Sequence, residues 1–268
     1  MPGYRPGVSS RFGVLAVVLA ALVAAVSAPA AGVQLKIIFP EGKTVRQMAD
    51  TVSAVRQIAI HKRHVTPVLT GAGYLRTAKT FSPPPAFRAA DKRHSIEGFL
   101  FPAGYLFDSS WRPRDLIALQ IRTFEDNWAA VDLGGRNAYE VLTVASMVER
   151  ETVAPEERRL VAAVIWNRLA RGMPLGIDAT LRYGLGIQGT RPLTAAELRD
   201  QTPYNTDVHK GLPPTPIGNP GLPSMQAAAH PAKVDYLYYV RKPDKIHHFF
   251  TASEQEFCQK AAEYGYHC

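Results

Sequence analysis

The stretch AYEVLTVASMVERET, residues 138–152, decides how this chain is read. At about 100° per residue, Val144, Met147 and Val148 fall on one stripe and Leu142 and Ala145 on another, which predicts a helix that is apolar on most of its sides. Glu151 lies on the first stripe and Glu149 on the second, so the two acids point in different directions. Apolar surroundings penalise the charged form of a carboxylate and raise its pKa. A carboxylic acid still protonated near neutral pH can hand its proton to a leaving oxygen. Glu151 is thus a candidate general acid. The competing reading is a structural ion pair with Arg150, Arg158 or Arg159.

Working outward, Asn137 starts this helix, and Arg112 to Trp128 reads as an amphipathic helix packing Leu116, Leu119 and Phe124. Pro155 suits a first helical turn, so a second helix is expected from there through Ala170, with Glu156 and Glu157 near its N-terminus and Gly172 beyond its end. Glu151 then sits at a corner between two helices, where a cleft can open. Toward the C-terminus, GLPPTPIGNPGLPS (211–224) implies a rigid, largely extended loop able to wall a groove. YLYYV (236–240) and HHFFT (247–251) read as two paired strands. Upstream, VQLKIIF (33–39) alternates as a strand and leads into a helix capped by Thr44, with Val45, Met48, Ala49 and Val52 on one face. FSPPPAF (81–87) breaks regular structure and marks a connection.

The chain has 268 residues and a formal charge of +8. That length allows one sizeable domain with an appendage. The basic residues are scattered and not interleaved with aromatics, which argues against nucleic acid as a partner. An anionic cell surface, or a solvated face of mixed charge, accounts for the balance better. Residues 12–33 are almost free of charge and rich in Ala, Val and Leu. Arg5 and Arg11 precede them, and no acid occurs before Glu41. This is an export signal, long enough to meet the roughly 20 residues of a membrane span, although VSA (26–28) and APA (28–30) resemble signal-peptidase sites. Cys258 and Cys268 could close a small loop in an oxidising compartment or remain two thiols. His61 and His64 have no acidic or thiol neighbour in sequence to complete a metal site, and no cofactor is expected.

Six segments in order carry a resemblance: EGFLFPAGY (97–105), ASMVERE (145–151), IWNRL (165–169), MPLGIDATLRYGLG (173–186), TPYNTDVHKGLPPTPIGNPGLPSMQAAAHPAK (202–233) and the pair YLYYV with HHFFT. From Ser95 to the C-terminus the chain resembles the endolytic murein transglycosylase (YceG-like) family. Matching positions include Glu151, Asn167, Asp178, Thr180, Tyr183, Tyr204, Asn205, Pro214, Asn219 and His247. Ala103, Gly104, Gly176, Ala179, Asp207 and Ile246 depart from the family's usual pattern.

The resemblance implies an α+β protein. Residues 1–33 would be an uncleaved membrane anchor and 34–94 a partial LysM-like strand and helix with a Pro-rich connection. Residues 95–268 would form a catalytic domain outside the cytoplasm that cuts peptidoglycan glycan strands, in the company of cell-wall synthases. Glu151 carries the chemistry in that reading. Lytic transglycosylases use one carboxylate, which protonates the glycosidic oxygen and then takes the proton of the sugar's own C6 hydroxyl. Tyr204, Asn205 and Thr206 are candidates for contacts to the sugar, or an Asx-turn bracing their loop. Asn219 is a further binding candidate. Asp178 is either a helix cap or loop brace, or a second carboxylate, and the last role would make the enzyme a muramidase, since hydrolases place two carboxyls about 5 to 10 Å apart. His247 bonds the acid or the sugar, or is structural. A murein-binding scaffold without activity is the remaining reading.

Overall fold

The computed structural model describes residues 32–87, 95–266 and 268, and these gather in one unit. The expected anchor lies outside them, apart from Gly32 and Val33. No helix among the described residues is long and apolar enough to cross a membrane. The fold is α+β, with two small antiparallel sheets set among helices.

The first sheet joins β1 (Gln34–Ile38) to β2 (Gly104–Asp108), with Leu35 opposite Phe107 and Ile37 opposite Tyr105. All four side chains are buried, as the alternation of a half-covered strand demands. The strand from the 34–94 segment and the strand from the 95–268 segment therefore share a sheet. They also share a core, which runs without interruption from Leu35 to Ala229. Thr44 caps α1 (Val45–Arg63) through a capping box with Gln47, and the helix buries Val45, Met48, Ala49 and Val52. α2 (Gly71–Thr80) packs on α1, and its Tyr74 donates to Gln120 on α3 (Pro113–Trp128) at 2.6 Å.

At the centre lies α4 (Ala138–Glu151), started by Asn137, whose side chain accepts from the amides of Tyr139 and Glu140. Every residue from Val141 to Val148 is buried, so α4 is covered on all sides. α5 (Arg158–Ala170) and α8 (Leu222–Ala229) supply much of that cover. A 3₁₀ turn, Pro155–Glu157, precedes α5 where one continuous helix was expected. Its Glu157 turns inward to the backbone amide of His248 instead of lying on the helix surface.

The Pro- and Gly-rich stretch does more than wall a groove. Residues 216–221 are buried, so their polar backbone groups need partners. Ile217 N–H donates to Ser146 Oγ on α4, and Asn219 exchanges backbone bonds with Gly42 and Lys43. The expected loop also ends earlier than Ser224, because α8 begins at Leu222 with Pro223 in its first turn, where proline is tolerated. Gly98 shows why the EGFLF segment needs glycine: its φ is +94°, and a Cβ there would lie 2.8 Å from Pro216.

The expected pair of late strands is present as β3 (Tyr238–Arg241) and β4 (His248–Thr251), with Tyr239 opposite Phe250 and Arg241 opposite His248. α9 (Glu254–Glu263) packs on both strands, and a Cys258–Cys268 disulfide ties down the end of the chain.

The Asn219 side chain is fully buried and makes four bonds to nitrogen and oxygen partners, besides a weak one from Nδ2 to Met48 Sδ at 3.8 Å. It accepts from Gly98 N–H and Leu100 N–H, both at 2.9 Å, and donates to Lys43 O at 2.8 Å and Glu97 Oε1 at 3.0 Å. Asn219→Ala strands two buried amides and should cost about 3 kcal/mol or more. Urea denaturation would show this as a lower midpoint with unchanged slope. A loss below about 1 kcal/mol would mean that water replaces the brace.

Candidate active site

Glu151 is the last residue of α4, placed where the buried part of the helix gives way to solvent, and the residue is half-buried. Burial is the main force raising its pKa, and the nearby charge of Asp178 adds to it. A hydrogen bond from Tyr239 and the charges of Arg241 and Arg150 pull the other way and do not prevail. The carbonyl end of a helix, which carries partial negative charge, likewise disfavours a carboxylate. Glu151 makes no ion pair among the described residues. Its side-chain partner is Tyr239, whose hydroxyl donates to Oε2 at 3.2 Å. Glu149 serves a different purpose. Its Oε2 accepts from Gly221 N–H at 3.0 Å and pins the start of α8. The two acids thus diverge as the helical stripes require.

Tyr239 is set in place from behind. His248 meets its ring edge-on at 5.3 Å between centroids, and Glu157 holds His248 through the Nδ1 atom at 2.7 Å and the backbone amide at 2.9 Å. The chain entering β3 is clamped by the IWNRL segment of α5. Asn167 Nδ2 donates to the carbonyls of Val234 and Tyr236, both at 2.9 Å, and Arg168 Nε donates to Leu237 O at 2.6 Å.

Facing this corner is α6 (Asp178–Gly184), which the short α7 (Ala195–Leu198) follows in the chain. Asp178 is its first residue, exposed, with Ile177 at the cap position, so its carboxylate is not the helix cap. Asp178 acts on both Glu151 and Asp207 as a repelling charge. The Asp207 carboxyl is raised by burial first and by Asp178 second, against Arg168.

The start of α6 is held by the 204–207 loop. Thr206 Oγ accepts from Ile177 N–H at 3.0 Å and pairs with Thr180 at 2.9 Å. Asn205 donates to Leu198 O and Asp200 O and accepts from Asp207 N–H. The Tyr204 hydroxyl pairs with Thr215 at 2.9 Å. The polar atoms of Asn205, Thr206 and Asn219 are thus engaged within the protein and position Asp178 and the loop. Around Glu151 the structure assembles Asp178, Tyr239 and the two arginines. His247 is half-buried at the β3–β4 turn, bonded to Asp244 at 2.9 Å and 3.4 Å from Glu156, and bonds neither Glu151 nor Tyr239.

Sequence reasoning passed over Tyr239, His248 and Glu97. Glu97 is buried and accepts from Val45 N–H, Tyr183 and Asn219. Burial pushes its carboxyl up to about 8 against those donors and the charge of Arg150. Its place in the EGFLF segment was the available signal. The described residues contain no cluster of His, Cys, Asp or Glu able to hold a metal ion.

The bond from Tyr239 stabilises the charged form of Glu151, so Tyr239→Phe should raise the Glu151 pKa further. A carbon-13 NMR titration of the Glu151 carboxyl reads this directly. An unchanged or lower value would show that the bond does not form in solution.

The model of the YceG-like family matches residues 16–263. A protein of Bacillus subtilis (strain 168) named endolytic murein transglycosylase is 31% identical over 232 residues, covering 84% of this chain and 64% of that protein. One of the same name from Streptococcus pneumoniae serotype 2 (strain D39 / NCTC 7466) is 29% identical over 180 residues, covering 64% of this chain and 33% of that protein. The chain therefore spans less than two thirds of the length of either relative. A crystal structure of a yceG-like protein from Listeria monocytogenes superimposes with a TM-score of 0.71 at 29% identity, covering 82% of this chain and 74% of that one. With this fold and a family match over nearly its whole length, the chain belongs to the YceG-like family.

Proposed function

We propose that this protein is an endolytic lytic transglycosylase that cuts peptidoglycan glycan strands between MurNAc and GlcNAc. The carrying observation is Glu151: one half-buried acid, biased toward its protonated form, without an ion pair among the described residues and held by a phenol at the mouth of a corner between α4, α6 and β3. The relatives named endolytic murein transglycosylase favour the same reading. In it, protonated Glu151 gives its proton to the glycosidic oxygen as the C1–O bond breaks. The carboxylate left behind then accepts the proton of the C6 hydroxyl as that oxygen attacks C1. A 1,6-anhydro end forms, the acid is regenerated and no water is consumed. This needs neither a metal nor an organic cofactor. The rise in pKa, driven by burial, favours the protonated form that proton donation requires.

In this proposal residues 12–33 anchor the protein in the cytoplasmic membrane, with the rest outside, where it works beside cell-wall synthases. The disulfide supports an oxidising compartment. β1 and α1 are taken as the closing part of a LysM-like module. Recovery of full-length protein in the membrane fraction after a carbonate wash is the expected result. A soluble form beginning near Ala28 to Ala31 would refute the anchor.

One murein digest with mass spectrometry tests the chemistry. Glu151→Gln should abolish anhydro products, since the amide cannot deliver a proton, while Glu149→Gln, whose amide oxygen can still accept from Gly221, keeps most activity. Asp178→Asn should cost about tenfold or less. Removing this negative charge lets Glu151 ionise at lower pH, so the alkaline limb of the rate profile should move to lower pH. Products carrying an added water, with a collapse of the Asp178→Asn rate by several orders of magnitude, would identify a muramidase instead.

A further inference from the structure

Between the first turn of α1, the end of α2 and the end of α6 lies a cavity of about 520 Å³. Its walls are of two kinds. Val45, Leu75, Ala78, Ile96, Leu185 and Ile187 make it apolar, and Arg46, Lys79, Arg150 and Arg182 bring four positive charges to it. Among its described lining residues Glu97 is the one acid, and its oxygens are taken up by Val45 N–H, Tyr183 and Asn219. None of the four cations forms an ion pair among the described residues.

Arg46 and Lys79 are exposed, and neither forms an ion pair among the described residues. Arg150 is sunk deeper. Its Nε is buried with no hydrogen-bond partner, and its Nη1 reaches only to Gly42 O at 3.4 Å. A buried guanidinium donor left unpaired is costly, and such a group is satisfied when an acceptor arrives. Arg182 is the exception, since it already braces the carbonyls of Gly189 and Arg191.

The cavity adjoins the candidate acid along two paths. Arg150 precedes Glu151 on α4 and lies in the electrostatic field of both Glu151 and Glu97. α6 carries Asp178 at its Glu151 end and Arg182 and Tyr183 at its cavity end, a length of about 10 Å.

A bare sugar chain would leave the cations unmatched, and a small inorganic anion would leave the apolar walls empty. A short peptide with small aliphatic side chains and free carboxylates meets both needs. We propose that the cavity binds the carboxylate-bearing peptide stem of the strand on which Glu151 acts. This inference rests on the transglycosylase reading.

The test compares purified full-length protein on intact murein strands and on strands of the same length stripped of their stems by an amidase. The wild type should favour stem-bearing strands by about tenfold in kcat/KM, and added salt should shrink that preference. Arg46→Gln combined with Lys79→Gln should bring the ratio toward one through a higher KM on stem-bearing strands. Lys62→Gln, an equal loss of charge per site at the far end of α1, should leave the ratio in place. Equal cleavage of both strand types by the wild type, or an unchanged ratio in the double variant, would overturn the proposal alone. Cleavage of neither strand type by the wild type would overturn it together with the reading beneath it.

Discussion

A helix that is apolar on most of its sides must be covered almost all round, and α4 imposes that condition on the rest of the chain. Each buried residue from Val141 to Val148 needs a neighbour, and α5, α8 and the buried 216–221 segment supply them. Close packing of this kind tolerates little change, since truncating a core residue such as Met147 to Ala costs about 2 to 5 kcal/mol. Where the cover stops, the helix ends, and the residue at that boundary is Glu151. The residue is therefore half-buried, and burial raises the pKa of its carboxyl at the point where the helix gives way to solvent.

Covering α4 with a Pro- and Gly-rich segment brings a second obligation. Proline removes donors, but the remaining amides and carbonyls of a buried loop must still be paired. Asn219 and Ser146 meet much of that need. Asn219 also reaches Glu97, so the brace of the loop and the wall of the basic cavity are one hydrogen-bonded network. Order in the core and shape at the cavity are thereby coupled through a single amide side chain.

The parts legible in the sequence are those set by local chemistry. The α4 periodicity, the Thr44 and Asn137 caps and the β3–β4 pair follow from residues close in the chain, and the structure forms each of them. The divergence of Glu149 and Glu151 was visible for the same reason. The pairing of β1 with β2 was not, because nothing local in residues 34–38 encodes a partner at 104–108. α2 was hidden by the two glycines in its first turn, which lower helix propensity but are tolerated under tertiary packing. At the site, His247 and His248 look alike in sequence. On β4, His248 faces the core and meets Tyr239, whereas His247 stays half-buried at the turn and bonds Asp244. Asn205 and Thr206 fit a sugar-binding role by residue type, and only the bonding pattern shows that their polar atoms serve the backbone.

The reach of the Asn219 brace also bears on how the chain comes to be folded. Its bond to Lys43 closes a separation of 176 residues, and its bond to Glu97 one of 122. Contacts this distant in sequence form late, because the entropy of closing so long a loop must be met before the contact gives anything back. Until the 216–221 segment arrives, Gly98 N–H, Leu100 N–H and Lys43 O lack their partner, and the strand and helices from β1 to α2 remain a half-covered fragment. A chain made from its N-terminus must hold that fragment, which ends at Thr80, without its closing piece until Asn219, about 140 residues later, is made. The 216–221 segment, which looks like mere loop in the sequence, is thus the piece that closes over the first third of the chain.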